Sequence, residues 1–296
     1  MKRVLKVAGY VLAGLTTLVV LIVGGAFVAS EAMIRWPVAR PASTLPAAVT
    51  AAVGPDAIAR GRRLAKLTGC HDCHGEGLEG KLFHDEMPIL RAYAPNLSRA
   101  LAGRTDAEID LAIRHGVGVD GRRLWVMPSS AFSQLSDRET SDLIAYLRTF
   151  RPAGEVQPRI QVGPVGRIGV LLAKFRSEPD VLASTPPRLA DVGPAHAQGR
   201  DLARLCVECH GSSLEGSPMM KSPDLSIAAS YDAEDFERLM STGIAAGGRK
   251  VGLMTAMGPA RFHAMSRDEM AALHGYLKAR AQVQIAEAET KALSKP

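Results

Sequence analysis

The chain has 296 residues with a formal charge of +6, and only 5% of them are aromatic. The length suits one large or two ordinary domains, but so few rings are thin for two separate cores. Its arginines and lysines are scattered, with no long basic run and no aromatic stripe beside one, which argues against a nucleic-acid partner and for a solvated surface with a few basic residues near a membrane.

At the N-terminus Lys2, Arg3 and Lys6 precede an uncharged stretch from Val7 to Ser30, and Glu31 and Arg35 follow it. As a helix this stretch reaches roughly 36 Å, enough to cross a bilayer core of about 30 Å. Residues 1–34 are therefore expected to be a signal anchor and transmembrane helix in contact with membrane lipid. Its basic end stays cytoplasmic, which puts the rest of the chain on the periplasmic side of the inner membrane. A cleaved signal peptide is the rival reading, since small residues lie near Ala29 and Ser30, but such peptides have apolar cores of only about 7 to 15 residues. Residues 35–55 hold Pro37, Pro41, Pro46 and Pro55. They are read as an extended stalk that sets how far the next unit stands from the membrane.

Asp56 to Gly69 reads as a short amphipathic helix feeding Cys70-His71-Asp72-Cys73-His74. The pattern C-x-x-C-H recurs as Cys206-Val207-Glu208-Cys209-His210, and the two copies use all four cysteines. Two thiols at this spacing can add to the vinyl groups of one haem while the following histidine binds its iron. A thioredoxin-like redox pair, or one zinc site made from both pairs, is the rival chemistry. The histidine after each pair and the separation of about 130 residues favour two covalently bound haem c groups.

After the first motif, 84–94 contains Pro88 and reads as a loop, followed by Pro95-Asn96-Leu97-Ser98. Thr105 and Glu108 can form a capping box for a helix to about His115, which Gly116 ends. A glycine-rich turn then leads to Met127-Pro128, and a second capping box, Ser136 with Glu139, opens a helix to about Phe150. This order resembles a class I, mitochondrial-type cytochrome c domain. The resemblance implies an all-α fold and makes Met127 the sixth iron ligand opposite His74, with Pro95 helping to orient that histidine. A neutral thioether favours ferrous iron relative to a second imidazole and raises the potential.

Residues 152–194 form a connector rich in proline, in which only Gly166 to Phe175 reads as a helix. Its Val162, Val165, Ile168, Val170, Leu171 and Leu172 favour packing over a flexible tether. Beyond it the first unit repeats. Ala197-Gln-Gly199 echoes Ala59-Arg-Gly61, Pro223-Asp224-Leu225-Ser226 echoes Pro95 to Ser98, and Ser266 with Glu269 opens the last helix. The internal repeat implies two cytochrome c domains, 56–151 and 195–281, with 282–296 as a tail that prolongs the last helix before fraying. The second methionine ligand is open. Counting from Gly121 and Gly248 puts Met254 in register with Met127, whereas counting back from Phe132 and Phe262 puts Met257 there. Neither is followed by proline; Met254 is preferred.

With both axial positions filled, neither iron offers substrate an open site, so the chemistry is one-electron transfer without independent catalytic activity. The sequence is expected to encode a membrane-anchored dihaem carrier serving redox partners: a soluble cytochrome, an oxidase, a quinol-oxidising complex or a periplasmic dehydrogenase. Two alternatives stand beside it, the cytochrome subunit of a larger membrane oxidoreductase and a dihaem peroxidase-like enzyme whose second iron lacks a stable sixth ligand.

Overall fold

The computed structural model describes residues 2–38 and 49–293. Helix α1 (Lys2–Arg35) is long and apolar enough to cross a membrane, with a mean hydropathy of 2.5 over its most apolar stretch. Of the stalk prolines, Pro41 and Pro46 lie outside the described residues, and so does the last part of the tail.

The first repeat holds α2 (Pro55–Leu67), α3 (Cys70–His74), the hairpin β1 (Lys81–Glu86) and β2 (Leu90–Ala94), then α4 (Leu97–Ala100), α5 (Asp106–His115), α6 (Ser129–Phe132) and α7 (Asp137–Leu147). Both expected capping boxes form: the Glu108 and Glu139 amides donate to the Thr105 and Ser136 hydroxyls, and each glutamate accepts the cap residue's own N–H. Helix α2 crosses α7 at Gly61, where a Cβ would lie 2.0 Å from the Asp142 carbonyl oxygen. Only a bare backbone permits that approach. The same device recurs in the second repeat, where Gly199 meets the Ala272 carbonyl, with 2.1 Å left for a Cβ.

The connector supplies β3 (Gln161–Val162), α8 (Pro164–Leu171) and α9 (Glu178–Ser184). The second repeat follows with α10 (Ala197–Ala203), α11 (Val207–His210), α12 (Ala233–Thr242), the small pair β4 (Ile244–Ala245) and β5 (Arg249–Lys250), α13 (Met254–Ala260) and α14 (Arg267–Leu293). The fold is all-α in class, and the exceptions are small. One is a correction: 84–94 is not a loop but the greater part of a hairpin. The backbone of β2 pairs on one side with β1 and on the other with Gln161 and Val162 of the connector, which satisfies polar groups that an irregular loop would leave to water.

The connector contains two helices where the sequence suggests one, and it packs through Val162 and Val170, whereas Val165, Ile168, Leu171 and Leu172, expected to pack as well, are exposed. Val162 and Val170 join Ile34 of α1 and Trp125 in a small buried cluster, with Phe175 against it. The outer end of α1 packs directly on the first unit, and residues 39–48 of the expected stalk lie outside the described residues. The two repeats also share apolar contact, since Leu67 and Ala131 belong to the same buried cluster as Phe236, Phe262, Leu273 and Tyr276.

Candidate haem-binding sites

Each attachment motif is a short helix entered from a longer one. In the first, Cys70, Cys73, His74 and Met127 line one cavity of about 390 Å³. The sequence separates the methionine from the motif by more than fifty residues; the glycine-rich turn brings it back. Leu97, Ile109, Ile113, Leu143 and Leu147 make the walls apolar.

The His74 ring is buried, and its Nδ1 lies 2.9 Å from the Pro95 carbonyl oxygen. A carbonyl only accepts, so Nδ1 carries the proton and Nε2 is left as the free donor atom, the arrangement that orients a metal-binding imidazole. His210 repeats this with Pro223 at 2.9 Å. Burial also lowers both histidines below the ordinary value, which keeps the rings neutral and able to offer a lone pair. The same burial pushes the thiols the other way, Cys73 up to about 11 and Cys206 to about 12. Thiols held protonated are poor nucleophiles for disulfide exchange. Nor, among the described residues, are three or more His, Cys, Asp or Glu side chains gathered as a zinc site requires.

Two further atoms test whether the first cavity suits a haem. Arg122 Nη1 and Trp125 Nε1 are buried beside it without a hydrogen-bond partner, and the nearest carboxylate oxygen to that guanidinium nitrogen, on Asp120, is 3.9 Å away. Orphaned donors cost about 1–3 kcal/mol each. A flat apolar macrocycle bearing two carboxylates would fill the walls and satisfy such donors, so the residues present fit the group. Ile34 and Arg35 of α1 line the cavity as well.

In the second unit Cys206, Met254 and Met257 are all half-buried against the core that holds Phe236, Met240 and Phe262. Met254 opens α13 and Met257 lies one turn on, so both face the same body of side chains and the choice between them stays open. His274 is otherwise engaged, its Nε2 lying 3.0 Å from the Ala228 carbonyl oxygen.

Residues 58–151 and 196–281, more than half of the chain, match the family model for cytochrome c. The chain belongs to the cytochrome c family. Membership brings covalently bound haem c and a place in electron transport. The chain is 29% identical over 115 residues to the fructose dehydrogenase cytochrome subunit of Gluconobacter japonicus, covering 36% of this chain and 24% of that protein. It is 32% identical over 118 residues to the cytochrome c subunits of alcohol dehydrogenase (quinone) from Gluconacetobacter polyoxogenes and Komagataeibacter europaeus, covering 36% of this chain and 25% of each. The matched region thus spans about a quarter of the length of these relatives.

One feature of this cytochrome escapes a reading of motifs. Arg261, only 9% exposed in its side chain, donates from Nε to Asp72 at 2.5 Å and from Nη1 to Glu208 at 2.7 Å. Those acids are the middle residues of the two C-x-x-C-H motifs, so one guanidinium ties together the short helices that carry them. The left-handed Gly69 makes room for it, since a Cβ there would lie 2.2 Å from Arg261 Cζ. Acidic residues at matching places in the two motifs are the only signal in the sequence, and nothing nearby announces their shared partner.

Proposed function

We propose that this chain is the haem-bearing, membrane-anchored subunit of a larger oxidoreductase complex, passing single electrons from a dehydrogenase partner toward the respiratory chain. The named relatives favour this over a free-standing carrier, because each is a cytochrome subunit of a dehydrogenase. The packed connector supports it too, since it fixes the two units as one body against the end of α1.

Two haems c would be held, one by Cys70 and Cys73 with His74 and Met127 on the iron, the other by Cys206 and Cys209 with His210 and Met254, or Met257 as the alternative. Haem c supplies reversible one-electron chemistry when bound. The chain's own part is to fix each imidazole through a proline carbonyl, to exclude water with apolar walls, and to place buried cation and indole donors where carboxylates need partners. The convergence of Cys70, Cys73, His74 and Met127 on one cavity carries the site assignment. The haem units lie on the periplasmic side, as the basic residues in the first turns of α1 imply.

Solubilising the membrane gently should recover the chain with a dehydrogenase partner; recovery of the chain alone refutes the subunit reading. Spectra of Met127→Ala, Met254→Ala and Met257→Ala holoproteins test the ligands. Met127→Ala and one of the second pair should each convert one low-spin haem to a high-spin form. A high-spin haem already present in the unmodified protein, together with peroxide turnover, would favour the peroxidase-like reading.

A further inference from the structure

The outer end of α1 is not bare. Arg167 of α8 lays its guanidinium over the Phe27 ring at 4.0 Å. It also donates to Ser30 Oγ at 3.0 Å and to the Glu31 carboxylate at 2.6 Å. These contacts hold α8 level with the last turn of the uncharged stretch, where α1 would leave the hydrocarbon. Gly166 and Val170 of α8 are buried, and Gly166 presses so close to the hairpin tip that a Cβ would lie 2.3 Å from the Ile89 carbonyl oxygen. The opposite face does not turn polar. Val165, Ile168 and Leu172 are exposed there, beside Met87 and Ile89 of the hairpin tip and Trp36 at the end of α1, with relative exposures from 36% to 71%.

We propose that these six residues form a lipid-facing collar around the emerging helix, so that the first haem unit lies on the bilayer surface. The inference rests on α1 being a membrane span, and it does not depend on which dehydrogenase the chain serves. Lipid is the occupant the observations favour because the face is continuous with α1 itself and fixed at its exit level by Arg167. Trp36 sits where indoles collect at membrane interfaces. Lys174 follows α8 and is exposed, where its ammonium can meet phosphate headgroups; the Arg176 guanidinium instead donates to the Asp180 carbonyl and the Ser184 hydroxyl. Of the two acids that precede Met87, Asp85 is paired with Arg91 at 2.8 Å and Glu86 lies 3.4 Å from His84 Nε2. A surface of this kind explains why a connector between two soluble units keeps valine, isoleucine and leucine in solvent-facing positions.

The test uses the full holoprotein in nanodiscs made with a phospholipid that carries a photoactivatable diazirine in its acyl chain. After illumination, peptides covering 87–89 and 164–172 should carry lipid adducts at roughly ten times the level of peptides from 197–205 in the second unit, as interfacial apolar residues do. The double variant Ile168→Asp, Leu172→Asp should lose adducts at α8 while its haem spectra stay unchanged. Adducts confined to α1, with 87–89 and 164–172 at background, overturn the collar and leave the anchor standing. A protein with no adducts on α1 either loses both readings. Cross-linking of these peptides to a co-purifying protein in intact membranes, without lipid uptake, would make the face a protein interface and overturn the proposal.

Discussion

Replacing Arg261 by methionine should uncouple the two repeats. Methionine keeps the apolar stem but removes the cation from between Asp72 and Glu208, leaving two carboxylates turned toward one another. Breaking a fully buried ion pair in this way costs about 3–5 kcal/mol. Here the two carboxylates are 31% and 24% exposed, so water recovers part of the loss, and about 2–3 kcal/mol is expected at the interface. Each unit retains its own core, so global melting is a poor assay. Amide hydrogen exchange is better: protection at residues 68–74 and 204–210 should drop while α5, α7 and α12 stay protected. With haem bound at both motifs, losing a buried positive charge disfavours the more negatively charged reduced state, so both midpoint potentials should fall. Adding Asp72→Asn and Glu208→Gln to Arg261→Met should restore part of the protection, because the stranded charges are then gone. Wild-type exchange at both motifs in Arg261→Met would refute the bridge. A weaker probe is Gly69→Ala, which forces a Cβ onto the guanidinium from a left-handed residue and should loosen the same segments.

Two further outcomes follow from other parts of the fold. Thr105→Ala removes the acceptor for the Glu108 amide, 3.2 Å from the hydroxyl, and should destabilise the first unit by about 1 kcal/mol in denaturant titration; no change would mean α5 is held by packing alone. Glu178 is buried at the start of α9, where burial raises its carboxyl above the ordinary 4.5 despite the hydrogen bond it accepts from the Ser130 amide at 2.7 Å. A raised acid contributes stability that is present below its unfolded value and lost as pH climbs through the folded value. Glu178→Gln should therefore match or exceed the wild type in stability at neutral pH, the difference fading below about pH 4; parallel stability profiles across that range would remove the effect.

Much of this arrangement was legible in the residues. The paired C-x-x-C-H motifs, the repeated Gly61 and Gly199 positions and the capping boxes at Thr105, Ser136 and Ser266 are local patterns, each enforced by chemistry within a few residues. Met127 was also within reach, because a Met-Pro after a glycine-rich turn is a compact signal. The hairpin was not. The 84–94 segment contains a proline and mixed polarity, and it becomes a sheet because Gln161 and Val162, some seventy residues on, pair with its second strand. The choice between Met254 and Met257 is hidden for a related reason: the turn before them can be counted from either end, and both side chains reach the same core.

The sequence by itself determined the chemistry: two C-x-x-C-H motifs, a family, and an apolar helix long enough for a membrane. Only the tertiary structure decided how the parts stand to one another. It seated the end of α1 on the first cavity, packed α8 beside Phe27 and Glu31, and put Arg261 between two acids that lie far apart in the chain. Local patterns come from steric and hydrogen-bond rules acting over a few residues, whereas an ion pair between Asp72 and Arg261 depends on how two finished units dock, and that docking is written in no single stretch.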